Sequence, residues 1–262
     1  MTNTWEKELN VVIEAAKAGS VPLRHLWGKL TQIRSKSSAT DLVTEADLGS
    51  EKAIKEVISK AFPSDSILAE ESGGERTGSI ERLWVIDPLD GTTNYTHQYP
   101  LFAISIALLH QGTPVVGIIF NPIFNEMFTA KIHSGAYLNG EQIHVSSVTE
   151  LSQSLLATGF SYDRRSNPDN NYAQFVSLTH LCQGVRRSGA ASLDLAYVAA
   201  GRLDGYWERG LQPWDVAAGS LLVQEAGGKL SDYEIQPLNL FNGKIVASNS
   251  LIHKELCKAI GS

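Results

Sequence analysis

The sequence predicts a protein of mixed α and β structure, with an α+β half over residues 1–146 and an α/β half over residues 147–262. Two segments of helical periodicity come first, and short apolar runs separated by Gly, Pro and Asn follow them. Short strands then alternate with helices in the second half. The chain has 262 residues, which is enough to bury a full hydrophobic core without cross-links.

Two α-helices are predicted before the first strand. The first is expected to be capped by Thr4 and to break or kink at Gly19, before Pro22. The second is expected to run from about Thr44 until Pro63 stops it. Its predicted apolar face comprises Leu48, Ile54, Val57, Ile58 and Ala61.

A mostly antiparallel sheet is predicted over residues 67–146. Residues 83–86 form a continuous apolar run, typical of a buried strand, that ends at Asp87. The further predicted strands are 102–109, 114–120 and 126–132. Asn139 and Gly140 indicate a hairpin turn that pairs the residues on either side of it.

The second half contains the remaining predicted helices and strands. A helix is expected to begin at Pro213, a favoured first position, and to end at Gly227. The C-terminal elements are predicted as helices over 172–181, 193–200 and 213–226, a strand over 229–231, and a last helix from a cap at Asn249 to Ile260.

Composition narrows the classes of partner. The chain has 28 acidic and 22 basic residues, so nonspecific nucleic-acid binding is not expected, because phosphate neutralisation needs a basic face. The two cysteines, Cys182 and Cys257, form no CxxC site and indicate a reducing compartment. No apolar run approaches the length of a membrane span. We therefore expect a cytoplasmic protein with no membrane or nucleic-acid partner.

Carboxylates stand at the ends of predicted apolar elements. Glu70 follows one apolar run, and Asp87 and Asp90 follow the buried strand. Asp215 lies in the first turn of the helix that begins at Pro213. Taken alone, each of these acids is typical of a turn or a helix N-terminus.

Taken together, the carboxylates indicate a metal site beside an anion site. A turn at Pro88 is expected to direct Asp87 and Asp90 the same way, and such carboxylates repel each other unless cations neutralise them. Oxygen ligands of this kind suit Mg²⁺. Gly91 and Thr92 can open a helix whose free N–H groups receive a phosphate. Metals beside such a site are the components of phosphoryl transfer to water.

Five sequence runs resemble the signature motifs of the inositol monophosphatase family, which belongs to the Mg²⁺-dependent, lithium-sensitive phosphatases. The runs are DLVTEAD at 41–47, EESG at 70–73, DPLDGTTN at 87–94, WDVAAG at 214–219 and EAGG at 225–228. The resemblance implies a layered αβαβα sandwich of the sugar-phosphatase type, with the active site between the two halves. It also implies a homodimer.

The resemblance assigns roles to individual residues. It implies two or three Mg²⁺ ions per site, held by Glu70, Asp87, the carbonyl of Leu89, Asp90 and Asp215. It implies that Asp47 and Thr92 orient and deprotonate the attacking water, with Glu70 as a further catalytic residue. The implied substrate contacts are Asp90, Gly91, Thr92, Gly189, Ala190, Ala191, Glu208 and Asp215.

The resemblance implies Mg²⁺-dependent hydrolysis of the phosphate monoester of a small polyol, with myo-inositol 1-phosphate first among the substrates. One alternative is another phosphatase of the superfamily, acting on fructose 1,6-bisphosphate, histidinol phosphate or 3′-phosphoadenosine 5′-phosphate. A second phosphate would need a basic pocket, for which the candidates are the pairs 164–165 and 186–187, although we interpret the latter first as tying down its loop. The other alternative is a regulatory binding role on the same scaffold.

Two polar segments outside the motifs are interpreted separately. Lys36 is a candidate to approach the phosphate from a mobile loop, and is equally consistent with a solvated lysine. Residues 73–79 have the glycine spacing of a phosphate-binding loop but lack its lysine, so we interpret them as a mobile polar loop.

Overall fold

The computed structural model of the chain describes residues 5–35, 42–74 and 80–261. Thr4, Lys36 and residues 75–79 of the glycine-rich segment lie outside the described residues. The helices are α1 (Glu6–Leu26), α2 (Glu45–Ala61), α3 (Thr92–Thr96), α4 (Tyr172–Leu181), α5 (Ala191–Ala199), α6 (Pro213–Glu225) and α7 (His253–Ile260), with one 3₁₀ turn at Leu151–Gln153.

The strands of the first half are β1 (Ile33–Ser35), β2 (Leu42–Thr44), β3 (Ser66–Ala69), β4 (Arg82–Asp90), β5 (Ala103–His110), β6 (Thr113–Asn121), β7 (Glu126–Lys131), β8 (Ala136–Leu138) and β9 (Glu141–Ile143). Those of the second half are β10 (Leu155–Thr158), β11 (Gly184–Arg186), β12 (Gly205–Arg209), β13 (Lys229–Ser231) and β14 (Lys244–Ser248).

The larger sheet follows chain order from β3 to β9 and has seven strands among the described residues. Its first pair, β3 and β4, is parallel, and every later pair is antiparallel. This confirms the mostly antiparallel sheet and the hairpin at Asn139 and Gly140. The smaller sheet has the order β11-β10-β12-β14-β13, with parallel pairing around β10 and antiparallel pairing around β14.

The elements stack as the layered αβαβα sandwich that the family resemblance implies. Helices α1 and α2 cover one face of the larger sheet, and α5 and α6 lie between its other face and the smaller sheet. Helices α4 and α7 cover the outer face of the smaller sheet. The larger sheet is therefore buried on both faces, which explains why its strands read as continuous apolar runs.

Side chains of one strand alternate between two cores. Ala103 and Ala107 of β5 pack in the core shared with α5 and α6, whereas Ile104 and Ile106 pack in the core under α1 and α2. The same alternation along β4 sends Val85 to the first core and its neighbours to the second.

Four local predictions were wrong. Helix α1 does not break at Gly19 but continues to Leu26, with Pro22 inside its last turns. Leu48 is 52% exposed and does not belong to the buried face of α2. The last helix begins at His253 rather than at a cap on Asn249, whose side chain accepts hydrogen bonds from two N–H groups before the helix.

The fourth correction concerns β4, which was expected to end at Asp87. It continues to Asp90, because the antiparallel pairing with β5 resumes beyond Pro88 at the pair formed by Asp90 and Ala103. No helix in the described part of the chain has the length and apolar character needed to cross a membrane.

Candidate active site

A bulge in β4 brings two carboxylates onto one face of the larger sheet. Asp87 lies opposite Ser105 of β5, and Asp90 lies opposite Ala103, so β4 holds one extra residue between these pairs. In a regular strand, residues three apart point to opposite faces, and one inserted residue reverses that relation. The common direction of the two acids, predicted from a turn at Pro88, therefore arises from a bulge within the strand.

The first turn of α6 carries Asp215 to the same face. The Asp215 Oδ2 atom accepts the N–H of Gln212 at 2.6 Å, which closes a capping box at the start of the helix, and Pro213 occupies the first position. The Ser105 hydroxyl donates to the carbonyl of Trp214 at 3.0 Å. Strand β5 thereby ties the start of α6 to the sheet face that carries Asp87.

Asp47 occupies the equivalent position in the first turn of α2. Its Oδ2 atom accepts hydrogen bonds from the Thr44 N–H at 2.9 Å and the Thr44 hydroxyl at 2.5 Å. Its Oδ1 atom accepts the Thr92 hydroxyl at 3.0 Å. The Ser50 hydroxyl, one turn further along α2, donates to the Pro88 carbonyl at 2.9 Å. Helix α2 therefore holds both the bulge and the start of α3.

These elements border a cleft of about 840 Å³ between the two halves of the chain. The predicted site residues that line it are Glu70, Asp87, Leu89, Asp90, Gly91, Thr92, Gly189, Ala190, Ala191, Glu208 and Asp215. Asp47 does not line the cleft but lies fully buried behind Thr92.

The cleft concentrates negative charge. Burial raises the pKa of Asp87 well above its ordinary value, and repulsion from Glu70, Asp90 and Asp215 raises it further. Burial likewise raises the pKa of Asp90 to about 6, although hydrogen bonds from Ser192 oppose the shift. The pKa of Asp215 is raised well above its ordinary value by burial and by Asp90. Carboxylates that raise one another's pKa in this way would be stabilised by a cation.

The donor set fits a hard, hydrated cation. The candidate donor atoms are all oxygens. Mg²⁺ is usually held by one or two carboxylates together with waters and substrate oxygens. As they stand, no three His, Cys, Asp or Glu side chains in the described ranges converge tightly enough to enclose an ion. The carboxylates thus form an open acidic wall rather than a closed cage.

Two glycines let backbone segments meet at the anion end of the cleft. Gly91 has φ +95°, and a side chain there would approach the Leu101 carbonyl and the Ala190 side chain within 3.1 and 3.3 Å. Gly189 has φ +89°, with the Asn94 amide nitrogen 3.1 Å from the place a Cβ would occupy. The start of α3 and the loop before α5 can therefore lie against each other only with glycine at these positions.

Glu208 projects from β12 into the far side of the cleft. It is buried, accepts the Tyr206 hydroxyl at 2.5 Å, and has a pKa raised to about 7 by burial. Gly159 is the reason it fits, because any Cβ at residue 159 would overlap the Glu208 carboxylate. A lone glutamate beside aromatic residues such as Tyr206 and Trp207 is more often exposed than a ligand, but Glu208 is buried and lines the cleft.

Several residues in or next to the cleft were not predicted. Ser192 donates to Asp90 Oδ2 through its hydroxyl at 2.6 Å and its N–H at 2.7 Å. Asp194 is buried, and its Oδ1 atom has no hydrogen-bond partner in the described part of the chain. Its signal in the sequence is a lone acid inside the otherwise apolar run of α5. Residues 160–162 also line the cleft, and no motif marked them.

The two basic pairs are divided by the fold. Arg164 and Arg187 line the cleft, whereas Arg165 and Arg186 do not. Each pair therefore contributes one arginine to the rim.

Comparison with known proteins gives a consistent result. The sequence profile described as the inositol monophosphatase family matches residues 4–262. An inositol-1-monophosphatase from Synechocystis sp. is 51% identical over 261 residues, which cover 99% of this chain and 89% of that protein. A Nus factor SuhB from Pseudomonas aeruginosa is 44% identical over 258 residues, covering 96% of this chain and 95% of that protein.

A solved structure agrees with both sequence comparisons. The inositol monophosphatase from Anabaena sp. superposes with a TM-score of 0.90 at 51% identity, over 98% of this chain and 96% of that one. Because the family profile and these relatives span nearly the whole chain, and four of the five motifs contribute residues to the acidic cleft, the protein belongs to the inositol monophosphatase family of metal-dependent phosphatases.

Proposed function

We propose that the protein hydrolyses the phosphate monoester of a small polyol, with myo-inositol 1-phosphate as the leading substrate, and that it requires Mg²⁺. The observation that carries the proposal is the convergence of Glu70, Asp87, Asp90 and Asp215 on one cleft, beside a buried pair formed by Asp47 and Thr92. The inositol-1-monophosphatase name of the Synechocystis relative supports the choice of substrate.

The cations would be held by the acidic wall. Glu70, Asp87 and the carbonyl of Leu89 would bind a first Mg²⁺, and Asp87, Asp90 and Asp215 a second. Glu70 with waters would help to bind a third. When bound, Mg²⁺ lowers the pKa of a coordinated water and offsets charge on the phosphate oxygens.

The protein's own contribution to water activation comes from Thr92 and Asp47. When the Thr92 hydroxyl donates a hydrogen bond to Asp47 Oδ1, at 3.0 Å, rather than to the Leu89 carbonyl, at 3.1 Å, its lone pairs stay available to accept a hydrogen bond from the attacking water. Burial raises the pKa of Asp47 to about 6, which suits a carboxylate that takes up a proton near neutral pH. The contact with Thr44 keeps this carboxylate in place during the reaction.

Substrate binding divides between the two sides of the cleft. The phosphate would lie at the start of α3, on the N–H groups of Gly91 and Thr92. The polyol hydroxyls would meet Asp90, the segment 189–191 and Glu208 on the opposite side. A carboxylate such as Glu208 can accept hydrogen bonds from two neighbouring hydroxyls, which favours a polyol over a plain alkyl alcohol.

The decisive variant is Asp90→Asn. We expect it to fold normally and to lose about 100-fold or more in kcat at saturating Mg²⁺, because the neutral amide is a poor cation ligand. Circular dichroism checks folding, and phosphate release checks turnover. Glu81→Gln, at a side chain 76% exposed and outside the cleft, is the matched control. Near-normal turnover of Asp90→Asn would contradict the proposed cation site.

The substrate is identified by kcat/KM, measured with and without Mg²⁺ on four esters. These are myo-inositol 1-phosphate, fructose 1,6-bisphosphate, histidinol phosphate and 3′-phosphoadenosine 5′-phosphate. The ratios measure differential binding of the transition states. A Mg²⁺-dependent preference for the inositol ester supports the proposal, and a preference for another ester keeps the chemistry and replaces the substrate.

A bisphosphate is the second candidate, because Arg164 and Arg187 both line the cleft. Charge reversal at either arginine should then reduce turnover of the bisphosphate far more than turnover of a monophosphate. Equal losses on both substrates would argue against a second phosphate subsite.

A regulatory role is the alternative in another class, since the Pseudomonas relative is called a Nus factor. If Asp90→Asn restored every phenotype of a deletion strain, catalysis would not be the physiological role. The homodimer expected from the resemblance stays a prediction, as does lithium sensitivity.

A further inference from the structure

One wall of the cleft is built by a segment to which no role has been assigned. Residues 159–171 connect β10 to α4, and five of them line the cleft: Gly159, Phe160, Ser161, Tyr162 and Arg164. They lie beside Glu208, because a Cβ at Gly159 would overlap its carboxylate, and they line the same cleft as the start of α6. This segment, the 159–171 wall, is therefore in a position to contact whatever the phosphate is attached to.

The two ends of the wall are tied together by Asn171. Its side-chain amide donates to the Thr158 hydroxyl and to the Gly159 carbonyl, both at 2.8 Å, and its oxygen accepts the indole N–H of Trp207 at 2.7 Å. Asn171 is buried and has φ +70°, a conformation that asparagine tolerates better than most residues. The wall is thus closed into a loop and attached to β12.

The middle of the wall is held by Arg209, which follows Glu208 on β12. Its two terminal nitrogens donate to the two carboxylate oxygens of Asp163, each at 3.0 Å, and it also donates to the Asp169 carbonyl. The Arg209 side chain is only 11% exposed, whereas that of Asp163 is 45% exposed. Such a two-point pair fixes orientation as well as distance.

The wall depends on this cation. Hydrogen bonds from Arg209, Ser161 and Asn167 hold the pKa of Asp163 well below its ordinary value. Lys244 reaches only Asp169, at 3.2 Å. Without Arg209, Asp163 would lose the cation that pairs with it, and Asp169 would keep only its ion pair with Lys244.

Arg209 itself does not line the cleft, so it does not touch a substrate bound there. Glycine at residue 210 completes the arrangement, because a side chain there would overlap Ser161. Strand β12, which presents Glu208, also presents Arg209, the one cation in the described part of the chain that pairs with Asp163 in the middle of the adjacent 159–171 wall.

We propose that Arg209 is a positioning residue that sets substrate specificity: by pairing with Asp163 and Asp169 it holds the 159–171 wall so that Tyr162 and Arg164 close on the alcohol portion of the substrate. This inference rests on the proposed phosphatase function, since it concerns the part of the ester that is not phosphate. The cation site and the Asp47–Thr92 pair are unaffected by it.

The test compares Arg209→Met with the unchanged protein on two esters. For myo-inositol 1-phosphate we expect KM to rise about tenfold while kcat stays within about twofold, because the lost contacts concern binding of the alcohol. For methyl phosphate, which lacks the polyol, we expect kcat/KM to change less than about twofold. Arg209→Lys keeps the charge but not the two-point pair, so its KM should lie between those of the unchanged protein and Arg209→Met.

Asp163→Asn is the second variant, since its side chain is half exposed and folding is not at risk. It should raise KM as Arg209→Met does, and the double variant should be no worse than either single one, because both remove the same pair. The matched control is Arg165→Met, which lies on the same wall but outside the cleft. An unchanged KM, or equal losses on both esters, would overturn the proposal.

Hydrogen exchange of the backbone separates this proposal from the function on which it rests. In Arg209→Met the amides of residues 159–171 should exchange faster while those of β4 and α6 do not, and no turnover is needed to see it. Unchanged exchange in the wall would refute the positioning role of Arg209 even if the enzyme is active. Faster exchange in Arg209→Met, combined with an unchanged protein that hydrolyses none of the esters, would instead refute the proposed function.

Discussion

Two aspartates at equivalent helix positions serve both local structure and the site. Asp47 and Asp215 each stand third in a helix, where one carboxylate oxygen accepts the N–H of the capping residue. The sequence left open whether Asp215 acts as a helix-start residue or as a ligand. The geometry makes these roles compatible, because a capping carboxylate keeps lone pairs for another partner. The helix start thereby fixes the direction of the functional group.

His253, outside the cleft, is a residue whose titration we expect to lower stability in acid. It is buried between the hydroxyls of Ser231 and Ser248, at 3.0 and 2.9 Å, and bridges β13, β14 and α7. Burial, and secondarily the charge of Lys229, lower its pKa from 6.5 to about 4. Between these two pKa values the unfolded chain binds a proton that the folded protein does not bind. Stability therefore falls as the pH drops through the pKa of the unfolded chain.

As the pH falls from about 7.5 to about 5, protonation of His253 in the unfolded chain should lower the free energy of unfolding by about 2 kcal/mol. In His253→Gln this contribution should vanish: the variant is less stable near neutrality but loses less on acidification. Urea unfolding at the two pH values measures the difference. His133→Gln, at an exposed ring, is the control. Identical pH slopes for the wild-type protein and His253→Gln would show that His253 binds its proton equally well in the folded and unfolded states.

At the scale of elements, the close contact of α1 and α2 supports the site from behind. A Cβ at Gly19 would lie 2.7 Å from Ile54 Cγ1 and 2.9 Å from the Ser50 hydroxyl. That hydroxyl donates to the Pro88 carbonyl within the β4 bulge. Gly19, expected from the sequence to break α1, instead lets α1 approach the helix that positions the bulge.

Gly19→Ala should therefore destabilise the protein by about 1–3 kcal/mol, although alanine is the better helix former. The added methyl group has no room unless α2 moves. Ile54→Ala opens the space, so the double variant should be more stable than the sum of the single effects predicts, by at least about 0.5 kcal/mol. Denaturant unfolding of the three variants measures this coupling. A stabilised Gly19→Ala protein would mean that helix propensity outweighs the contact.

At the scale of the whole molecule, the sequence predicts the layers better than it predicts the site. Apolar runs identify strands buried on both faces, because local hydrophobicity follows burial. The bulge in β4 was missed because it depends on register with β5 and not on local pattern. The pairing of Arg209 with Asp163 was invisible for the same reason, since 46 residues separate them. Motif resemblance located the acidic residues, but only the fold shows what holds them.

When its carboxylates are ionised and no cation is bound, the acidic cleft destabilises the whole folded protein. Burial raises the pKa values of Asp87 and Asp215 well above ordinary, and those of Asp47 and Glu208 to about 6 and about 7. The folded protein therefore retains protons that the unfolded chain releases. Between the ordinary and the raised values, stability without cations falls as the pH rises.

We therefore expect the chelator-treated protein to melt several degrees lower at about pH 8.5 than at about pH 6.5, although His253 acts in the opposite direction near the lower of these pH values. Mg²⁺ should raise the melting temperature more at the higher pH, because the ionised acidic wall binds the cation more tightly. Differential scanning calorimetry with and without Mg²⁺ measures both effects. Asp87→Asn removes the charge at the centre of the wall, so its apoprotein should be less sensitive to pH and its melting temperature should respond little to Mg²⁺. A Mg²⁺-induced shift of equal size in Asp87→Asn would place the stabilising cation outside this cleft.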